Sequence, residues 1–198
     1  MKNRLINRNL YDKIETIGLD RKKMVFLSGP RQCGKTTLAK TLLGSSNRNY
    51  FNWDQISFKK LWYKDFEKFG ESLLEQENPR IVLDEFHKNS KWKNQIKGFY
   101  DTFGDKIEII LTGSAKLNSF RKGADSLLGR FVHFNLHPFS MGEILHNKPI
   151  SFKEFEDFIK TPSLRPNARQ KNELFDLILK FGGFPEPFLS QSEEHHQI

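Results

Sequence analysis

The stretch Met24-Val25-Phe26-Leu27-Ser28-Gly29-Pro30-Arg31-Gln32-Cys33-Gly34-Lys35-Thr36-Thr37-Leu38 constrains this chain more than any other. An apolar run ends in a loop bounded by glycines and resumes as a helix. Residues Gly29 to Thr36 fit the phosphate-loop pattern G-x-x-x-x-G-K-[ST]. Successive backbone N–H groups wrap an anion only where the chain takes positive φ and carries no Cβ at its tightest points, which calls for Gly29 and Gly34. The helix starting near Lys35 turns unpaired N–H groups and the positive end of its dipole toward the same anion. Gly29, Pro30, Arg31, Gln32, Cys33, Gly34, Lys35, Thr36 and Thr37 are therefore the candidate nucleotide-binding residues. Lys35 is expected to reach the β- and γ-phosphates, and the Thr36 hydroxyl to ligate magnesium.

Such a loop needs a parallel sheet behind it, and the apolar runs supply one. Lys23–Ser28 reads as a strand buried on both faces. Further strands are expected at Asn49–Asp54, Arg80–Glu85, Lys106–Leu111 and Arg130–Leu136. Helices alternate with them: one carrying Leu38, Leu42 and Leu43 inward and stopping near Gly44, and one over Lys91–Phe103. Between the second and third strands lies a long amphipathic stretch with Phe58, Leu61, Trp62, Phe66, Phe69 and Leu73 at helical spacing. A short lead-in over Leu5–Ile17 sets Leu10, Ile14 and Ile17 at similar spacing. The alternation predicts an α/β fold with right-handed crossovers. After Pro138 the pattern turns to helices, marked by Phe152, Phe155, Phe158 and Ile159, then by Leu174, Phe175, Leu177, Ile178 and Phe181 before Gly182-Gly183. Residues 1–140 are thus expected to form the core, and 141–198 a helical lid or the start of a further region. The loop before the fifth strand reads as mobile, and the tail from Ser192 as frayed.

Two carboxylates end the third strand. Asp84 is placed to hold a magnesium shell through water. Glu85, next in the chain, points to the opposite side, where it would take a proton from the attacking water or orient it. At the tip of the fourth strand Ser114 is a candidate γ-phosphate sensor, a task Thr112 is able to share. Thr112-Gly113-Ser114-Ala115 lacks the elbow pattern of a serine nucleophile. GTP is disfavoured, because no Asn-Lys-x-Asp element precedes Ser114-Ala115-Lys116. A small-molecule kinase, with Asp54 binding the acceptor, has no other support. Arg130, before the fifth strand, is either a surface residue or an arginine that stabilises charge on the transferred phosphoryl group, within the chain or across subunits. Cys33 starts a helix where bound phosphate would cover it. Trp53, Trp62 and Trp92 read as core residues.

These stretches resemble the AAA-type ATPases, mostly archaeal and bacterial, whose nucleotide domain is commonly fused to a winged-helix segment and a C-terminal domain of unknown function. The resemblance is carried by Gly29–Thr37, Leu83-Asp84-Glu85, Leu111-Thr112-Gly113-Ser114, Leu128-Gly129-Arg130, His137-Pro138-Phe139-Ser140-Met141-Gly142-Glu143-Ile144 and Gly182-Gly183-Phe184-Pro185-Glu186. It implies an AAA+-like core with strand order 5-1-4-3-2, ATP with Mg2+ as cofactors, and homo-oligomerisation, and it strengthens Arg130 as a finger or sensor. Two departures stand out. His87 occupies a position where such proteins often carry Gln, and the chain ends soon after the Gly-Gly-Phe-Pro element, as a truncated or minimal member would.

Composition narrows the partners. With 37% hydrophobic residues and 19 Phe among 198, a sizeable core is expected. One Cys excludes a disulfide framework and suits a reducing cytoplasm. No apolar run reaches the roughly 18 residues of a membrane helix. The net charge of +8 leaves nucleic acid open as a partner, although Lys and Arg are scattered beyond clusters such as Arg21-Lys22-Lys23 and phosphate binding accounts for part of the excess. Three readings follow: an ATP hydrolase coupled to a protein partner, a slow nucleotide switch, and a DNA-stimulated ATPase.

Overall fold

Strand β1, Met24–Ser28, is buried along its whole length and lies inside the sheet, paired with a strand on each side. The computed structural model describes residues 8–44, 47–113, 127–146 and 168–191. Together with β2 (Tyr50–Asn52), β3 (Arg80–Asp84), β4 (Glu108–Gly113) and β5 (Phe131–Asn135), β1 forms a parallel sheet of order β2-β3-β4-β1-β5. Read from the other edge, this is the expected 5-1-4-3-2.

Period-two alternation divides the apolar residues of β1 between two cores. Met24 and Phe26 enter one cluster, packed with α3 (Ile56–Lys64), α4 (Phe66–Leu73) and α5 (Trp92–Phe103). Val25 and Leu27 enter the other, with α2 (Lys35–Leu43) and the lead-in. The Phe-rich composition fills the first cluster. The Trp62 ring lies 5.9, 5.8, 4.8 and 5.2 Å from Phe58, Phe69, Phe86 and Phe99, centroid to centroid. Trp53, Trp62 and Trp92 are all buried, as a core role requires. Each such side chain contributes at least about 1.5–3 kcal/mol when removed from water.

Three expectations need correction. The long amphipathic stretch is two helices, because Asp65 is extended (φ −170°) and its carboxylate accepts the Lys68 N–H at 2.9 Å, capping α4. Within α3, Phe58 and Trp62 are buried while Leu61 is 44% exposed. The lead-in is a short helix, α1 (Leu10–Lys13), continued as a π-helical turn over Ile14–Leu19. The wider turn buries Ile14, Gly18 and Leu19 and leaves Ile17 at the surface. Finally, β4 runs two residues beyond Leu111, placing Thr112 opposite Leu27 and Gly113 opposite Ser28.

The chain divides into two compact units. One is Leu10–Leu136; the other joins Arg8 and Asn9 to the described residues from His137 onward. The division falls at Leu136 rather than at 140. In the second unit Glu143 organises the contacts that draw the early residues in. Its carboxylate accepts the Asn9 N–H at 3.0 Å and the Ser140 N–H at 3.0 Å, and lies 3.2 Å from Arg8 Nε. Ser140 Oγ in turn accepts the Glu143 N–H at 3.2 Å, a capping box that starts α6, Met141–His146. Further helices run over Ala168–Phe181 and Pro185–Ser190. In the first of them Phe181 is buried, whereas Phe175 is 49% exposed. Ser114, the loop residues before Leu127, the helix expected around Phe152–Ile159 and the tail from Ser192 lie outside the described residues.

Candidate phosphate-binding site

The loop begins where β1 ends, and close packing explains its first glycine. Gly29 has φ 156°, and a Cβ there would lie 2.2 Å from the Leu136 carbonyl oxygen and 3.0 Å from Cys33 Sγ. No side chain fits this position. The chain then turns through Gln32 in the left-handed region (φ 60°) and Gly34 (φ 95°), which caps α2. Arg31 and Gln32 are exposed, as is Thr37. The Cys33 side chain is fully buried in the apolar cluster beneath the loop. Core packing, not phosphate, covers the thiol, so Cys33 has only its backbone N–H to offer an anion.

Lys35 is 92% buried yet keeps its charge solvated by carbonyls. Its ammonium donates to the Gly29 carbonyl at 3.0 Å and the Pro30 carbonyl at 2.6 Å. This holds the cation inside the curve of the loop, with one N–H of its three left for another acceptor. Thr36, the second residue of α2, lies over the end of β3, where its hydroxyl donates to Asp84 Oδ2 at 3.2 Å. Gly29, Pro30, Lys35, Thr36 and Asp84 thus meet at one end of the sheet.

Asp84 is nearly inaccessible and collects hydroxyls from three elements: Thr36 from α2, Tyr50 from β2 and Thr112 from β4. Burial pushes the Tyr50 phenol well above its ordinary range, and the bonded, charged Asp84 pushes it further. Thr112 is legible as a helper from the sequence, whereas Tyr50 is not. In register, Tyr50 pairs with Val82 and Asn52 with Asp84. Tyr50 therefore stands two positions before Asp84's partner on the same sheet face. Only the strand pairing reveals that relation.

Glu85 leaves the strand in the left-handed region (φ 55°, ψ 20°) and heads a 3-10 turn over Phe86–Lys88. Its carboxylate lies 3.4 Å from Lys88 Nζ and 3.8 Å from His87 Nε2. Lys88 also holds Asp54 at 2.6 Å, and that bond, more than any other, raises the Lys88 pKa. Asp54, considered above as an acceptor-binding carboxylate, lies beyond the end of β2 and is engaged with this lysine.

Arg130 is not brought to the loop within one chain. Its carbonyl accepts the N–H of Met24, the first residue of β1, and its guanidinium binds Asp101 at 2.6 Å. Four residue steps of roughly 3.3 Å, about 13 Å of strand, separate Met24 from Ser28 at the loop end. With its guanidinium on Asp101, Arg130 stands at the end of the sheet remote from the loop.

The donor set suits a small hard cation bound together with phosphates. One carboxylate and one hydroxyl form a sparse oxygen site, the kind that Mg2+ completes with water and phosphate oxygens. Among the described residues no group of three His, Cys, Asp or Glu side chains is placed to hold a metal. Among them, too, no helix is long and apolar enough to cross a membrane.

Residues 21–145 match the family model described as "AAA domain". An uncharacterized protein of Haemophilus influenzae is 26% identical over 172 residues, covering 80% of this chain and 38% of its own length. The chain thus spans well under half of that relative. Among solved structures, a Walker-type ATPase of Pyrococcus abyssi superposes with a TM-score of 0.51 at 15% identity, over 93% of this chain and 65% of that one. AMPPCP-bound DnaA from Aquifex aeolicus gives 0.51 at 15% identity, over 84% and 52%. A signal transduction ATPase with a tetratricopeptide repeat sensor, from Pyrococcus horikoshii, gives 0.53 at 17% identity, over 91% and 28%. At these identities the three structures carry the fold alone.

Proposed function

The chain belongs to the AAA-domain family, and from that premise we propose that it binds ATP with Mg2+ and hydrolyses it, coupling nucleotide state to a protein partner. The observation that carries this reading is the Thr36–Asp84 contact at 3.2 Å, directly below a loop that holds a buried ammonium. The amides of the loop and of the first turn of α2 bind the phosphates. Lys35 turns its remaining N–H to a β- or γ-phosphate oxygen while the loop carbonyls keep the other two. Thr36 and Asp84 are the residues that hold Mg2+, which when bound neutralises charge on the phosphates. Glu85 orients the attacking water or takes its proton once it parts from Lys88. Ser114 is retained as a γ-phosphate sensor on its sequence position, with Thr112 beside it. Arg130 acts, if the chain assembles as a homo-oligomer, on the site of a neighbouring subunit.

The second reading, a slow nucleotide switch, has its own support in the engagement of Glu85 by Lys88 at 3.4 Å. A carboxylate held this way is less available to activate water. The two readings separate in one experiment: ATP turnover and nucleotide affinity of the purified protein, with Glu85→Gln and Lys35→Ala beside it. Turnover lost in Glu85→Gln with affinity retained supports the hydrolase; tight binding with negligible turnover in the unaltered protein supports the switch. Because the net charge is +8, the assay carries an arm with DNA at low salt, where stimulation would identify a nucleic-acid partner. No binding of Mg-ATP to folded protein overturns both.

A further inference from the structure

We propose that Tyr50 is a positioning residue for the divalent cation of this site, acting through Asp84. The inference rests on the nucleotide-binding reading above and adds to it a residue outside the phosphate loop and the strand-end carboxylates.

Three observations carry it. Tyr50 Oη donates to Asp84 Oδ2, the same oxygen that accepts the Thr36 hydroxyl. Thr112 Oγ1 fills a position on the other oxygen, Oδ1. A carboxylate rotates easily about its terminal bond, and three hydroxyls from three different elements fix its plane. The Tyr50 ring is itself held, lying on the sheet face packed with α2, with Lys40 Nζ 4.4 Å from its centroid. The phenol is therefore a rigid strut, and it is half-exposed rather than sealed in the core.

The chemistry of the contact explains why such a strut is useful. A carboxylate has about four lone-pair positions, and these three donors occupy three of them. The one that remains is aimed by the other three, so a metal-bound water meets an acceptor whose direction is already set. Ordering that acceptor in advance removes a cost that would otherwise fall on cation binding. Thr36 belongs to the first turn of α2 that continues the phosphate loop, and Thr112 is buried within the sheet. Tyr50 is the donor of the three that can be removed with neither the loop nor the core disturbed, since phenylalanine keeps the ring.

The test measures binding, not turnover. ADP affinity is determined by calorimetry in excess EDTA and again in excess Mg2+, for the unaltered protein and for Tyr50→Phe, with thermal unfolding of both. The proposal expects the variant to bind ADP within about twofold of the unaltered protein in EDTA, while the gain on adding Mg2+ shrinks about tenfold, the size of one hydrogen bond to a charged group. An unchanged gain, or a larger one, overturns the role of Tyr50 and leaves the nucleotide site intact. An equal loss with and without Mg2+ marks Tyr50 as structural support and overturns the proposal as well. If the unaltered protein binds ADP under neither condition, the nucleotide reading falls and takes this inference with it.

Discussion

Glu85 and Lys88 face each other at 3.4 Å across a single 3-10 turn, and the same ammonium reaches Asp54 at 2.6 Å. The pair places a restraint on the carboxylate expected to prepare water. Lys88→Met removes the restraint and keeps the length of the side chain. Lys88 is 43% exposed and ion pairs of this kind are worth up to about 1 kcal/mol, so kcat is expected to rise no more than about fivefold. Steady-state turnover checks this; a fall in kcat would mean that Lys88 assists Glu85 instead of restraining it.

Gly29 has no room for a side chain, since the nearest atom to its Cβ position is the Leu136 carbonyl oxygen at 2.2 Å. Backbone cannot yield there as a flexible side chain would. Gly29→Ala is expected to lower unfolding stability by about 1–3 kcal/mol through strain alone. The loop that does form will be displaced, weakening nucleotide binding. Urea denaturation and ADP calorimetry report the two effects separately.

The sheet and the loop were legible in the sequence because each announces itself within a few adjacent residues. Val25 to Leu27 and Ile81 to Leu83 are apolar on both faces, and the loop carries its glycines at fixed spacing. What depended on neighbours distant in the chain was not legible. Leu61 and Ile17 sit at correct helical spacing, yet Leu61 falls on the exposed side of α3 and a π-helical turn leaves Ile17 at the surface. Tyr50 meets Asp84 only through the register of β2 with β3, which no local pattern encodes. Arg130 was separated from the loop by the direction of β5, since a residue that precedes a parallel strand lies at the end remote from the phosphates.

Away from the site, Arg80 ties three elements together. Its guanidinium binds Glu15 at 2.7 Å and Glu108 at 2.7 Å, and donates to the Leu42 carbonyl at 2.6 Å. Its two partners hold its pKa above the usual value although burial works the other way. Arg80→Met leaves two carboxylates facing each other without a cation. Breaking a buried pair costs about 3–5 kcal/mol; with side chains about one-fifth exposed, a loss of about 2–3 kcal/mol is expected. Part of that loss should disappear when Glu15→Gln is added, because the added change removes one stranded charge. Chemical denaturation of the single and double variants measures it, and a double variant that merely sums the single losses would show that the two groups are not coupled.

Because Arg130 stands away from the loop of its own chain, a role on a neighbouring subunit is open to a sharp mixing experiment. Within one chain its guanidinium is bound to Asp101 at the loop-remote end of the sheet. If it acts across an interface, Arg130→Ala loses turnover, by as much as about 10³-fold for an arginine that stabilises phosphoryl charge, while ADP affinity is kept. Lys35→Ala loses turnover for a different reason, through its own phosphate loop, and still presents an intact Arg130. Neither variant is active alone. Mixed in equal amounts, some interfaces join a working loop on one subunit to a working arginine on the next, and activity returns. Turnover per subunit of the unaltered protein should also rise with protein concentration as subunits associate. A mixture that remains inactive, together with turnover independent of concentration, removes the catalytic role and leaves Arg130 its structural contact with Asp101.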